Sequence, residues 1–194
     1  MGERYSDRLV RLQTAPWKRL LDVQRPYRMH LRALEPGLVL DVGCGIGRNL
    51  EHLRGHGVGI DLDPESVEYV RRVHGYRAYT PDEFLHSSDA CEGRFDTLLF
   101  SHVLEHLDAA GAEELVRSYL RFLARDGRVF VFVPQEVGYA NDPTHERFFD
   151  EAACASLASA LGLRIQRSYS FPFPRPAGRW FRYNEFVFVL RRDR

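Results

Sequence analysis

Between residues 38 and 134, short apolar runs alternate with stretches of helical spacing. The runs are Leu38-Val39-Leu40, residues 56–61 with Gly55 and Gly57 at their start, residues 76–79, residues 97–101 (TLLFS) and residues 128–134 (RVFVFVP). Apolar runs of this length, bounded by Gly, Pro or Asp, read as buried strands. The first is followed by a helical pattern through Asn49, Leu50 and Leu53. Asp63-Pro64-Glu65 starts a helix with Asp as cap and Pro at the first position, continuing through Val67, Val70 and Val73 to a stop near Gly75. Thr80-Pro81 begins a short helix, and Asp108 caps a longer one carrying Leu115, Tyr119, Phe122 and Leu123. Residues 150–161 place Ala153, Leu157, Ala160 and Leu161 on one face, ending at Gly162. Strand–helix alternation calls for a parallel sheet covered on both faces. The last strands, near 163–169 and 184–191, have no helix between them and are able to pair as an antiparallel hairpin. The fold predicted is α/β, three-layered, in a single domain spanning 1–194.

Residues 1–15 are mixed and charged, an irregular or partly helical arm. Trp17, Leu20, Leu21, Tyr27, Leu31 and Leu34 then fall at helical spacings interrupted by Pro26. One kinked helix or two short ones satisfy that pattern. Lys18, Arg19, Arg25, Arg28 and Arg32 on this segment read as a solvated face; the sharper alternative is a lid over a ligand site. The organisation is therefore an N-terminal helical cap over 1–35 and a core over 36–194.

The chemistry concentrates in residues 38–50, LVLDVGCGIGRNL. A buried strand ends in Asp41, and Gly43, Gly45 and Gly47 follow at alternate positions before a helix begins. Glycines supply the dihedrals of a tight turn and let backbone approach a bound molecule; free N–H groups behind them favour an anionic group. The second strand ends in Asp61, where a carboxylate can accept both hydroxyls of a ribose. In open parallel sheets these strand ends converge on a ligand crevice. A nicotinamide site would use the same carboxylate but prefers G-x-G-x-x-G; here the spacing is G-x-G-x-G.

Composition narrows the partners. Lys plus Arg and Asp plus Glu balance at 27 each, for zero formal net charge, so no global field draws the chain to nucleic acid or an anionic membrane. Cys44, Cys91 and Cys154 are scattered and form no CxxC pair, as expected of free thiols in a reducing compartment. No apolar leader core or run of eighteen apolar residues is present, so the expected location is cytoplasmic, without membrane insertion. Gly2 and Ser6 match a myristoylation pattern, too short a match to carry weight.

Taken together, D-V-G-C-G-I-G, G-I-D-L-D, F-D-T-L-L-F-S-H-V-L-E-H-L and G-R-V-F-V-F-V-P resemble the class I S-adenosylmethionine-dependent methyltransferases, in order and spacing. The resemblance covers residues 36–192. It implies a Rossmann-like sheet in order 3-2-1-4-5-7-6 with the last strand antiparallel, and S-adenosylmethionine as cofactor. Position by position it implies backbone approach of Gly43, Cys44, Gly45 and Gly47 to the methionine part, with Asp41 orienting the turn and the cofactor's amino group. It places Asp61 on the ribose, Leu62 against the adenine, and Ser101 and His102 along the methionyl end. Where the family often has an acidic residue facing the adenine amino group, this chain has Thr80-Pro81-Asp82.

His102, Glu105 and His106 also fit the H-x-x-E-H pattern of inverted zinc proteases. Their place after a buried strand inside the methyltransferase block favours no metal. His106 reads first as structural or cofactor-facing, second as a base. His145, in the long loop 135–147, is the leading candidate for a base or acceptor-orienting group, with Glu136 and Tyr139 as fallbacks. The aromatic loop 171–183 either walls an apolar pocket rimmed by Arg175, Arg179 or Arg182, or tucks onto the sheet edge. The fourth strand ends in Ser-His-Val-Leu and lacks the Asp/Asn-Pro-Pro-Tyr of several nitrogen-methylating families, and no RNA-binding segment is added. The function expected is methyl transfer to a small-molecule acceptor, at oxygen in preference to nitrogen; the alternative is a non-catalytic cofactor-binding regulator. Acceptor and oligomeric state stay open.

Overall fold

The computed structural model describes residues 24–193. The arm over 1–15, the start of the cap at Trp17 with Lys18 and Arg19, and the myristoylation pattern lie outside the described residues. Seven strands form one sheet: β1 Val39–Val42, β2 Gly57–Ile60, β3 Ala78–Tyr79, β4 Phe95–Ser101, β5 Leu123–Pro134, β6 Leu163–Phe171 and β7 Glu185–Arg192. Their order is β3-β2-β1-β4-β5-β7-β6. β7 runs antiparallel to both neighbours, while β1 to β5 pair in parallel. Fold class, strand order and the antiparallel last strand are as the sequence predicted.

The helices are α1 Arg25–Ala33, α2 Arg48–His52, α3 Pro64–Tyr69, α4 Pro81–Leu85, α5 Ala109–Tyr119, α6 Glu136–Ala140 and α7 Glu151–Ala160. Side-chain caps fix where four of them begin. Asp63 accepts from Glu65 and Ser66 N–H, Asp108 from Gly111 N–H and Asp150 from Ala153 N–H. Thr80 and Glu83 form a reciprocal capping box on α4. Each such cap contributes about 1 kcal/mol, and together they hold the strand-to-helix turns on the cofactor side of the sheet.

β1 and β2 are buried at every position, as strands covered on both faces must be. Alternate residues serve opposite layers. Leu40, Leu98 and Val131 pack with Val116 of α5 and Leu157 of α7. Val39, Leu99, Phe130 and Val187 pack against Leu31 and Leu34 at the α1 end. Helix α1 is thus bonded to the sheet through its own apolar stripe.

Local expectations needed adjustment. α3 passes into a π turn, Val70–His74, and Val73 is half exposed. The wider π turn has more residues per turn than an α-helix, so Val73 leaves the arc that buries Val67 and Val70. Ala160 is exposed as well; α7 buries Ala153, Cys154, Leu157 and Ala158. The loop expected over 135–147 begins with α6.

Candidate cofactor turn and acceptor cleft

The turn after β1 places Gly43, Gly45 and Gly47 at φ values of +79°, +51° and +82°. A Cβ on Gly43 would stand 2.3 Å from Val103 Cγ2, so glycine is required there by conformation and by space. Gly43 and Cys44 N–H both donate to Ile60 O, at 2.8 and 2.9 Å. Asp61 completes the tether: its Oδ2 accepts from Gly45 N–H at 2.7 Å and its Oδ1 from Asp63 N–H at 2.9 Å. A carboxylate offers about four lone-pair sites, so both oxygens keep capacity for a diol.

Asp41 is wholly buried. Its Oδ1 accepts from Asn49 Nδ2 at 3.3 Å, and its Oδ2 has no hydrogen-bond partner among the described residues. Burial pushes its carboxyl up to about 7; the Asn49 bond opposes that and Asp61 adds to it. An orphaned, partly ionised carboxylate beneath a glycine turn matches the cationic amino group of a methionine moiety. Burial, then Asp41 and Asp61, raise the Cys44 thiol well above its usual range, making it a packing group and no nucleophile. Leu62 is 85% exposed beside the turn. Thr80 is committed to its capping box with Glu83.

A cleft of about 190 Å³ opens between this turn and α1, lined by Tyr27, His30, Gly43, Cys44, Gly45, Arg48, Ser101, His102 and Glu185. Tyr27 donates to Tyr183 O at 2.7 Å. His30 stacks on Phe171 at 3.9 Å and 9°, with its Nε2 2.7 Å from the Tyr169 hydroxyl. Burial lowers the His30 pKa, against the pull of Glu185, and so favours the neutral imidazole. His102 behaves oppositely. Burial disfavours its charge, but the carboxylates of Glu105 and Glu185 outweigh this and carry its pKa up to about 10. Its ring lies 3.2 Å from Glu105 Oε1 and 2.9 Å from Glu185 Oε1, and its side chain lines the cleft. His102 sits at φ +58°, a left-handed conformation uncommon outside glycine, and the two carboxylates hold it there.

The residues favoured from sequence as bases lie elsewhere. His145 does not line the cleft. Its side chain is 8% exposed, its Nδ1 faces Tyr139 O at 2.7 Å, and its Nε2 points toward Glu105. His106 also faces away, its Nδ1 3.1 Å from Thr144 O. Glu136 is held by both guanidinium nitrogens of Arg175, which depresses its pKa. Tyr139 stacks on His145. The aromatic loop folds onto the sheet end: Asn184 Nδ2 donates to Gln135 Oε1 at 2.9 Å and to Phe173 O at 3.1 Å, while the Arg175 guanidinium lies over Phe186. Phe171 and Tyr183 of this loop reach the cleft through their contacts with α1, whereas Trp180 is largely exposed.

Other cleft residues were not singled out from the sequence, among them Tyr27 in a stripe read as packing or as a lid, His30 on the same segment, Arg48 beside the glycines, and Glu185 at the head of the last strand. For Glu185 a signal existed: antiparallel pairing of the last strand sets it opposite Pro134, at the end of the sheet where ligands bind.

A family model for the methyltransferase domain matches residues 17–168. A TehB-like S-adenosylmethionine-dependent methyltransferase from Corynebacterium glutamicum superposes with TM-score 0.66 at 20% identity, over 97% of this chain and 98% of the other. A methyltransferase from Archaeoglobus fulgidus gives 0.64 at 16% identity, over 88% and 98%. The 1,6-didemethyltoxoflavin-N1-methyltransferase of Burkholderia thailandensis, solved with 1,6-didemethyltoxoflavin and S-adenosylhomocysteine bound, gives 0.62 at 23% identity, over 88% and 78%. With most of the chain inside the family model, and the sheet order and glycine turn agreeing with it, this protein belongs to the methyltransferase-domain family and is a class I S-adenosylmethionine-dependent methyltransferase.

Proposed function

We propose that the enzyme methylates a small-molecule acceptor, at oxygen in preference to nitrogen, in the cleft beneath α1. The supporting observation is His30, an imidazole that lines the cleft, is fixed between Phe171 and the Tyr169 hydroxyl, and is favoured in its neutral form by burial. A hydroxyl acceptor must lose a proton on methylation, whereas an amine lone pair reacts directly, so a neutral imidazole there suits oxygen chemistry. The fold itself hosts both outcomes, since structural relatives include the mitomycin 7-O-methyltransferase as well as the N1-methyltransferase above.

S-Adenosylmethionine supplies a methyl group already activated on a sulfonium. In this reading Gly43, Cys44, Gly45 and Gly47 approach its methionine part, Asp41 meets the amino group, Asp61 takes the ribose, and Leu62 covers the adenine. Ser101 and His102 line the methionyl end, and the His102–Glu185 pair fixes the cleft's charge. His30 accepts the acceptor's proton, while α1 keeps bulk water from the reacting groups.

The test is incubation with methyl-deuterated S-adenosylmethionine and a panel of hydroxylated and amine-bearing small molecules, read by mass spectrometry. Label on an oxygen of a small product is expected. With that acceptor, His30→Ala should lower kcat roughly 10²–10⁴-fold, the usual worth of general-base help, with KM little changed. Label found only on nitrogen, protein or nucleic acid would refute the reading.

A further inference from the structure

We propose that Glu105, His106 and His145 form a binding site for a divalent transition-metal ion such as Zn²⁺, set behind the cleft. One ligand atom from each lies within 4.8 Å of the others. Glu105 has no exposed surface, and neither carboxylate oxygen has a hydrogen-bond partner among the described residues. Oε1 does face the charged His102 ring at 3.2 Å, but Oε2 has no partner among the described residues, and a buried carboxylate oxygen left so is costly unless something electrophilic meets it.

The hydrogen bonds around the two histidines fix which nitrogen is free. His145 Nδ1 stands 2.7 Å from the carbonyl of Tyr139, which can only accept, so Nδ1 carries the proton and Nε2 keeps its lone pair. His106 Nδ1 faces Thr144 O and Thr144 Oγ1, each at 3.1 Å. Thr144 Oγ1 already donates its proton to Asp142 Oδ1 at 2.7 Å, so both Thr144 groups act as acceptors and His106 Nδ1 is again the donor. Two imidazoles with Nδ1–H bonded to oxygen and Nε2 free are the arrangement in which histidine binds metals. Two such nitrogens with one carboxylate make a donor set suited to zinc and neighbouring ions, with a position left for water.

The H-x-x-E-H pattern does not assemble this set by itself. Its first histidine, His102, turns at positive φ toward Glu185, and residues Leu104–His106 form only a 3₁₀ turn. His145, 39 positions beyond His106, takes the vacant role. The loop carrying it is already pinned here, since Glu146 and Arg147 N–H both donate to Glu105 O. A bound ion would clamp the segment after β4 to the loop after β5.

Untagged protein stripped with EDTA is titrated with Zn²⁺ alone against a chromophoric chelator. One ion per chain is expected. His106→Ala and His145→Ala should each weaken binding by at least the roughly 100-fold that loss of an outer-sphere partner can cause; His86→Ala, an exposed control, should not. Melting in EDTA checks that each variant folds. Imidazole nitrogen NMR of the wild type gives an answer that needs no variant: Zn²⁺ should shift Nε2 of two rings only. No uptake, uptake unchanged in the folded double variant, or shifts at other histidines would overturn the proposal.

Discussion

His102 Nε2 stands 2.9 Å from Glu185 Oε1, joining the end of β4 to the head of β7 across the mouth of the cleft. Its folded pKa, up to about 10, lies above the ordinary 6.5. The stabilisation from its charged form is therefore complete below about pH 6.5 and is lost as pH rises toward 10. Urea unfolding at intervals from pH 6 to 10 should show wild-type stability falling relative to His102→Gln, and the two curves converging at the alkaline end. Parallel curves would contradict the ion pair.

Asp41 has the opposite effect on the ligand-free fold. Its carboxyl ionises near 7 when folded, against the ordinary 3.8, so stability falls between those pH values and stays low above them. A shift of that size corresponds to roughly 4 kcal/mol, at about 1.36 kcal/mol per unit. Asp41→Asn should melt at least as high as wild type at pH 8 while binding S-adenosylmethionine at least tenfold more weakly. Wild-type affinity for this cationic ligand should rise with pH through 7. Calorimetry at pH 6 and 8 checks both.

Gly43→Ala forces a Cβ onto Val103 at φ +79°. We expect a loss exceeding about 1 kcal/mol, the scale for alanine at a positive φ, together with weakened cofactor binding. Adding Val103→Ala should restore part of the stability, because it removes the clash but leaves the dihedral strain. Denaturant midpoints of the two variants give the partition.

Asn184→Ala leaves Gln135 Oε1 buried without its donor. The cost should be about 1–3 kcal/mol, that of an unsatisfied buried group. Limited proteolysis should then cut within 172–183, where wild type resists, since Asn184 also accepts from Phe173 N–H and donates to Phe173 O.

What could be read from sequence was what repeats locally. Asp63-Pro64, Thr80-Pro81 and Asp108 announce helix starts by cap chemistry, and Gly43, Gly45 and Gly47 announce the turn by their spacing. The cleft was less legible because its wall is assembled at long range. His30 meets Tyr169 and Phe171 from 139 and 141 positions away, and Glu185 meets His102 across 83. His145 was singled out because it lies in the long loop where the resembling family commonly builds its acceptor pocket; its Nδ1 faces the Tyr139 carbonyl, a partner no spacing reveals.

The central claim is that this turn and cleft hold S-adenosylmethionine, with Asp61 on its ribose, and the most direct measurement is calorimetric titration of S-adenosylhomocysteine into wild type and Asp61→Ala. Wild type should bind one molecule per chain and the variant at least tenfold more weakly, with the melting temperature of both proteins in buffer confirming their fold. Equal affinity in the two folded proteins, or no binding to wild type, would contradict the account.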